Sequence, residues 1–250
     1  MTKLTAAEKI ARKAAKEAET VRARHAAMLD ALKEARAEWD ARNVLKVSIS
    51  KDNSKMGPVP SVSLLPLVTC PACCWDTCAG KCYALKIAAI PNRKNVRRAY
   101  ARNTVLAVEN MPEYFRQINL FVAGVRFFRW HVSGDIPGGE CGKQYFTGMI
   151  ETARNNPVCT FLAFTKNAAV VNAWIDSNGA LPENLKVIFS NWGRYKLNNP
   201  HGLPVSEVVF AGEGPAPDWN ICGGNCYECA CRGVGCWQLK NGETIAFSEH

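Results

Sequence analysis

The chain has 250 residues, 48% hydrophobic and 21% charged, with a formal net charge of +9 and a pI of about 9.0. That length allows one substantial core with an appendage. No apolar run can span a bilayer, and the charged, alanine-rich start lacks a signal core, so neither membrane insertion nor secretion is expected. The expected setting is a reducing cytoplasm, where clustered thiols bind metal more often than they pair as disulfides. The basic excess invites a nucleic-acid partner. No run exceeds two or three consecutive basic residues, however, and a solvated basic surface accounts for the charge equally well.

Residues 1–43 read as one long helix rich in Ala, Glu, Lys and Arg, with no Gly or Pro. Ile10, Ala14, Ala18, Val21, His25, Met28, Leu32, Ala35 and Trp39 form a heptad-like seam. The seam suits oligomerisation or partner docking; the plainer reading is a helix lying across its own domain. The plainer reading is favoured for Met28 to Trp39, with fraying before it. The rest, 44–250, is taken as a single domain. Val44–Ser50 alternates like a strand, and Gly57, Pro58 and Pro60 mark a turn-rich connection.

The chain then enters a cysteine knot on a loop, because Pro66 and Pro71 oppose a continuous helix. Cys70, Cys73, Cys74, Cys78 and Cys82 fall within 13 residues. A short helix from Cys82 to about Ile90 follows. Residues 92–110 give a helix with a basic face of Arg93, Lys94, Arg97, Arg98 and Arg102. This face suits a phosphate or polynucleotide, although a solvated face is the commoner outcome.

From a helix at 112–123 onward, strands and helices alternate. Strands are expected at 125–132, 159–164, 185–189 and 205–210, with helices at 146–154 and 168–176. Repeated β-α order implies parallel strands with helical crossovers. The expected fold is α/β, a partial or complete β/α (TIM-like) barrel with cysteine-rich loops. Its ligand edge would carry the polar residues that end each strand. Asp135, His131 and Lys166 are the candidate catalytic groups there, with Ser133, Asn191 and Glu213 as candidate cofactor-binding groups and Arg194 beside them. Asp135, beside a glycine at a strand end, reads as functional. His131 reads equally as a site residue or as a buried hydrogen-bonder.

A second knot closes the chain: Cys222, Cys226, Cys229, Cys231 and Cys236. Thiolates at two- and three-residue spacings can converge on one centre. Neither knot offers the two separated C-x2-C pairs of a zinc ribbon, so one or two [4Fe–4S] clusters are favoured over zinc. The candidate metal ligands are Cys70, Cys74, Cys78 and Cys82, and Cys222, Cys226, Cys229 and Cys236. A three-thiolate N-terminal site would leave one iron open to a small-molecule substrate, and S-adenosylmethionine is a candidate ligand. Cys222-x3-Cys226-x2-Cys229 has the radical SAM spacing, but it lies at the wrong end of the chain and Glu228, not an aromatic, precedes its last cysteine.

Several dispersed segments together resemble the phage and bacterial gene product 88 family. They are Cys70-Pro71, Cys78-x3-Cys82-Tyr83-Ala84, Tyr100-Ala101-Arg102-Asn103, Arg129-Trp130-His131-Val132-Ser133-Gly134-Asp135, Phe164-Thr165-Lys166, Cys226 to Cys236-Trp237 and Phe247-Ser248-Glu249-His250. The resemblance covers about residues 44–250. It implies a phage-type protein in the host cytoplasm, with an iron–sulfur-like cysteine layout and a fold similar to the radical SAM barrel. The alternative is a zinc-stabilised protein that binds nucleic acid through residues 93–102.

Overall fold

The computed structural model describes residues 5–54, 56–193, 196–210 and 212–249. The N-terminal seam folds into helix α1 (Ala6–Arg42). Thr5 and Glu8 form a reciprocal capping box at its start, and Asn43 ends it in the left-handed conformation. Val21, Met28, Ala31 and Ala35 are buried against the chain's own domain, as the plainer reading expects. The helix does not fray before Met28: it is continuous from Ala6, although residues 5–19 are exposed and Ile10 remains 70% accessible.

Two short strands follow, β1 (Ile49–Ser50) and β2 (Ser61–Val62), so the expected strand at 44–50 is present only at its end. The first knot carries one turn of helix, α2 (Cys73–Asp76), and leads into α3 (Tyr83–Ala89). Helices α4 (Lys94–Glu109) and α5 (Met111–Val122) precede β3 (Phe127–Trp130). The alternating half comprises α6 (Gly139–Asn155), β4 (Thr160–Thr165), α7 (Ala168–Asn178), β5 (Leu185–Ser190) and β6 (Val205–Val209). It closes with β7 (Asn220–Ile221), α8 (Cys226–Arg232) and β8 (Thr244–Ser248).

The eight strands form one sheet in the order β1-β2-β3-β4-β5-β6-β8-β7. Only the β1–β2 pair is antiparallel; β2 to β8, and β7 with β8, run parallel. Among the described residues no ladder joins β1 to β7, so the sheet is open and the complete barrel is not observed. The α/β class with a long N-terminal helix stands.

Side-chain alternation along the strands builds two cores. Phe128, Trp130, Phe161, Ala163, Val187 and Phe189 pack with the helices in the larger one. Leu162, Ile188 and Ile245 face the other way, against Ala230, Trp237 and Leu239 of the C-terminal knot. The second knot therefore covers the sheet face that the long helices leave bare.

Candidate functional site

The loop from β2 into the first knot is pinned from both sides. Leu64 N–H donates to the Ser133 carbonyl (2.9 Å), Leu65 N–H to Thr104 Oγ1 (2.9 Å), and Asp135 N–H to Thr69 Oγ1 (3.1 Å). These bonds bring residues 70–82 to the ends of β3 and β4. Cys74 is buried, with the thiols of Cys70 and Cys78 both within hydrogen-bonding reach. Cys82 caps α3, its sulfur accepting from Leu85 N–H (3.4 Å), and the Cys70 sulfur accepts from Leu67 N–H (3.4 Å). The Cys74 thiol lowers Cys78 to about 6 against the opposing effect of burial, and the Lys166 ammonium adds to the lowering. Cys74 itself is raised by its pairing with Cys70 and then with Cys78, and burial pushes Cys82 up to about 11.

Asp135 is buried beside this group. Its carboxylate accepts from Thr165 Oγ1 (2.5 Å), Lys166 N–H (2.8 Å) and Ile136 N–H (2.7 Å). Burial raises its pKa despite these donors. Lys166 donates to Ser190 Oγ (2.7 Å). Burial alone would lower its ammonium, yet Cys78, Cys74 and Asp135 together raise it above its ordinary value. Asp135 and Lys166 thus lie where the strand-end argument puts them.

The other strand-end candidates behave differently. By alternation from Arg129, residue 131 would share the sheet face of the second knot, whereas Cys70, Cys74, Cys78 and Cys82 pack with the larger core. Instead His131 has φ +51°, which breaks the alternation and turns its ring toward α6. There Nε2 pairs with Tyr145 Oη (2.9 Å), which pairs in turn with Tyr114 Oη (2.8 Å). His131 is therefore a buried hydrogen-bonder, not a wall of the cysteine site. Ser133 Oγ is buried without a hydrogen-bond partner among the described residues. Asn191 Nδ2 donates to Glu207 (2.6 Å), and Glu213 is exposed on its loop. Arg194 and the terminal His250 lie outside the described residues.

Burial lowers His131 from the ordinary 6.5 to about 3. Between those values the unfolded chain binds the extra proton, so stability rises with pH across the window and is lost on acidification below about 6.5. Chemical denaturation of the wild type should show this contribution as about 1.4 kcal/mol per pH unit. His131→Gln should flatten the slope between pH 6 and 4; an unchanged slope would remove His131 as its source.

The second knot draws its thiols from three places: Cys222 after β7, Cys226 and Cys229 on α8, and Cys236 in the 3-10 turn Gly235–Trp237. Asn225 caps α8 through Tyr227 N–H (3.1 Å) and Glu228 N–H (3.2 Å), and Trp237 Nε1 donates to the Cys226 carbonyl (2.9 Å). Burial, reinforced by Cys222, raises Cys236 to about 12, with Cys226 and Cys229 acting the same way and Arg129 opposing. Cys231 is exposed. Among the described residues no group of three or more His, Cys, Asp or Glu side chains is arranged to hold a metal ion.

The basic face expected on residues 93–102 is largely spoken for. Arg98 pairs with Glu34 (3.5 Å), Arg102 with Glu38 (2.8 Å), and Arg97 donates to the Ala88 carbonyl (2.7 Å). Arg93 and Lys94 are exposed. Two clefts, of about 310 Å3 beside Tyr100 and about 670 Å3 between α7 and β5, are not lined by Asp135 or Lys166.

An open, mostly parallel sheet with two separate thiol groups on its loops defines a cysteine-rich α/β protein. The chain belongs to the family described as Gene product 88, whose profile matches residues 31–231. The match begins inside α1 and stops before Cys236, so it is offset from the 44–250 span of the motifs. Comparisons with curated proteins and with solved structures gave no match. Among the described residues, no helix is long and apolar enough to cross a membrane.

Proposed function

We propose that this chain is an iron–sulfur protein with two clusters, and that the N-terminal one is the working centre of an enzyme acting on a small ligand. The observation that carries this reading is the gathering of two separate thiol groups, one of them beside Lys166 and Asp135. The donor set is thiol alone, which suits iron–sulfur chemistry.

Cys78 and Cys82, with either Cys70 or Cys74, would hold the N-terminal cluster, and three thiolates leave one iron open. Cys222, Cys226, Cys229 and Cys236 would hold the other as a structural or electron-carrying centre. When bound, such clusters supply redox or Lewis-acid chemistry, and S-adenosylmethionine is one ligand class an open iron takes. The chain's own part is electrostatic. Lys166 sets a positive charge against the thiolates, and Asp135 offers a buried carboxylate held by three donors. A radical-SAM-like partial barrel is the architecture this reading implies. The zinc-stabilised nucleic-acid alternative draws less support, since Arg98 and Arg102 already face Glu34 and Glu38.

The test is anaerobic purification followed by iron, zinc and acid-labile sulfide per chain and a visible spectrum. Brown protein with about eight irons and matching sulfide is expected. Colourless protein with zinc and no sulfide would sink the reading and move nucleic-acid binding to the front. Asp135→Asn should then keep iron and sulfide while losing ligand binding at least tenfold by calorimetry with S-adenosylmethionine. Unchanged affinity would remove Asp135 from the site.

A further inference from the structure

Among the described cations Arg129 has a distinctive setting. It lies on β3 between Phe128 and Trp130, both buried among the helices, so its side chain projects onto the opposite face of the sheet. Nη1 lies 3.4 Å from Cys226 Sγ and 3.2 Å from Met56 Sδ, and the guanidinium carbon stands 4.8 Å from the centre of the Phe164 ring. Nε is buried with no hydrogen-bond partner among the described residues. No carboxylate pairs with it among those residues either, unlike Arg36, Arg98, Arg102 and Arg116.

Its charge also opposes the upward shift of Cys236 in the C-terminal group. A guanidinium taken from water without a carboxylate is costly unless another anion supplies the countercharge. The Cys226 sulfur, 3.4 Å away, is the acceptor at hand, and a cluster held there would supply the negative charge.

We infer that Arg129 holds Cys226 by an N–H···S contact and sets how readily the C-terminal cluster is reduced. The inference rests on the two-cluster reading. A positive charge and a hydrogen bond at a ligand sulfur both favour the reduced, more negative cluster. Arg129 is thus a positioning residue: it touches a cluster ligand and leaves the ligand site to Lys166 and Asp135. Its aromatic and thioether neighbours keep the guanidinium partly desolvated, which strengthens its field.

The experiment is a redox titration of anaerobically purified wild type, Arg129→Gln and Arg129→Lys, followed by electron paramagnetic resonance, with iron, sulfide and circular dichroism measured on each. Arg129→Gln should keep its iron and make reduction of one cluster about tenfold less favourable, a fall of about 59 mV for one electron. Arg129→Lys, which keeps the charge, should recover at least half of that shift. Unchanged potentials in a fully loaded Arg129→Gln would overturn the inference, as would a fall equally large in Arg129→Lys. If Arg129→Gln loses its iron, Arg129→Lys decides: wild-type iron and potential support the inference, and loss of iron overturns it. Wild type without iron and sulfide would remove the cluster reading itself, an outcome distinct from iron-loaded protein with unmoved potentials.

Discussion

Cys78→Ala is expected to remove about four irons and four sulfides per chain and to abolish ligand binding, leaving the other cluster in place. Cys78 is the thiol most strongly biased toward thiolate, lowered to about 6 by Cys74 and helped by Lys166. No neighbouring cysteine can take its position between Cys74 and Lys166 without moving the loop. Cys226→Ala should remove the other set of about four and spare the first, because the two groups stand on different elements and their losses should add. Iron and sulfide assays on the two single variants and the double variant check this directly. If either single variant loses all its iron, the groups form one centre and the two-cluster assignment fails.

Gly134→Ala should be strongly destabilising. Gly134 has φ +75°, and a Cβ there would lie 2.7 Å from Thr69 Oγ1 and 2.8 Å from Leu64 Cβ. Thr69 and Leu64 belong to the loop that carries the first knot, and both bond to residues 133–135. The new methyl must therefore adopt strained backbone and also push the knot away from Asp135. The combined cost is about 3 kcal/mol or more. Urea unfolding should show a midpoint lowered by about 1 M, with an unchanged slope. The N-terminal iron should also bind less tightly than the C-terminal iron. A midpoint within about 0.2 M of wild type would mean that the loop yields without cost.

Much of the helical and strand layout is legible because it depends on short-range periodicity. The α1 seam predicts the burial of Val21, Met28 and Ala35, though not that of Ala31, and the β-α alternation predicts β3 to β6 within a few residues. Strand β8 is different. Thr244-Ile245-Ala246-Phe247-Ser248 is short, and nothing local says that it inserts between β6 and β7. A closed barrel is suggested by β-α order, but closure depends on whether the first and last strands meet, and β1 and β7 stand at opposite ends of the strand order. For the site, Asp135 and Lys166 could be read from strand ends. For His131 the sequence left a site residue and a buried hydrogen-bonder equally open, and the left-handed turn that sends its ring to Tyr145 decides for the second.

By itself the sequence determined the secondary-structure pattern and the two thiol groups. Within each group most cysteines are four or fewer residues apart, so their proximity needs no distant partner, whereas Cys236 is brought in by its own 3-10 turn. It also determined membership in the Gene product 88 family, which is written in dispersed motifs. Only the tertiary structure decided that α1 lays Glu34 and Glu38 over the basic helix, and that the second knot covers the bare face of the sheet. The same holds for Arg129, which reaches Cys226 across 97 residues of chain. Such contacts join segments remote in sequence, and they arise from the packing of two amphipathic layers and not from any local pattern.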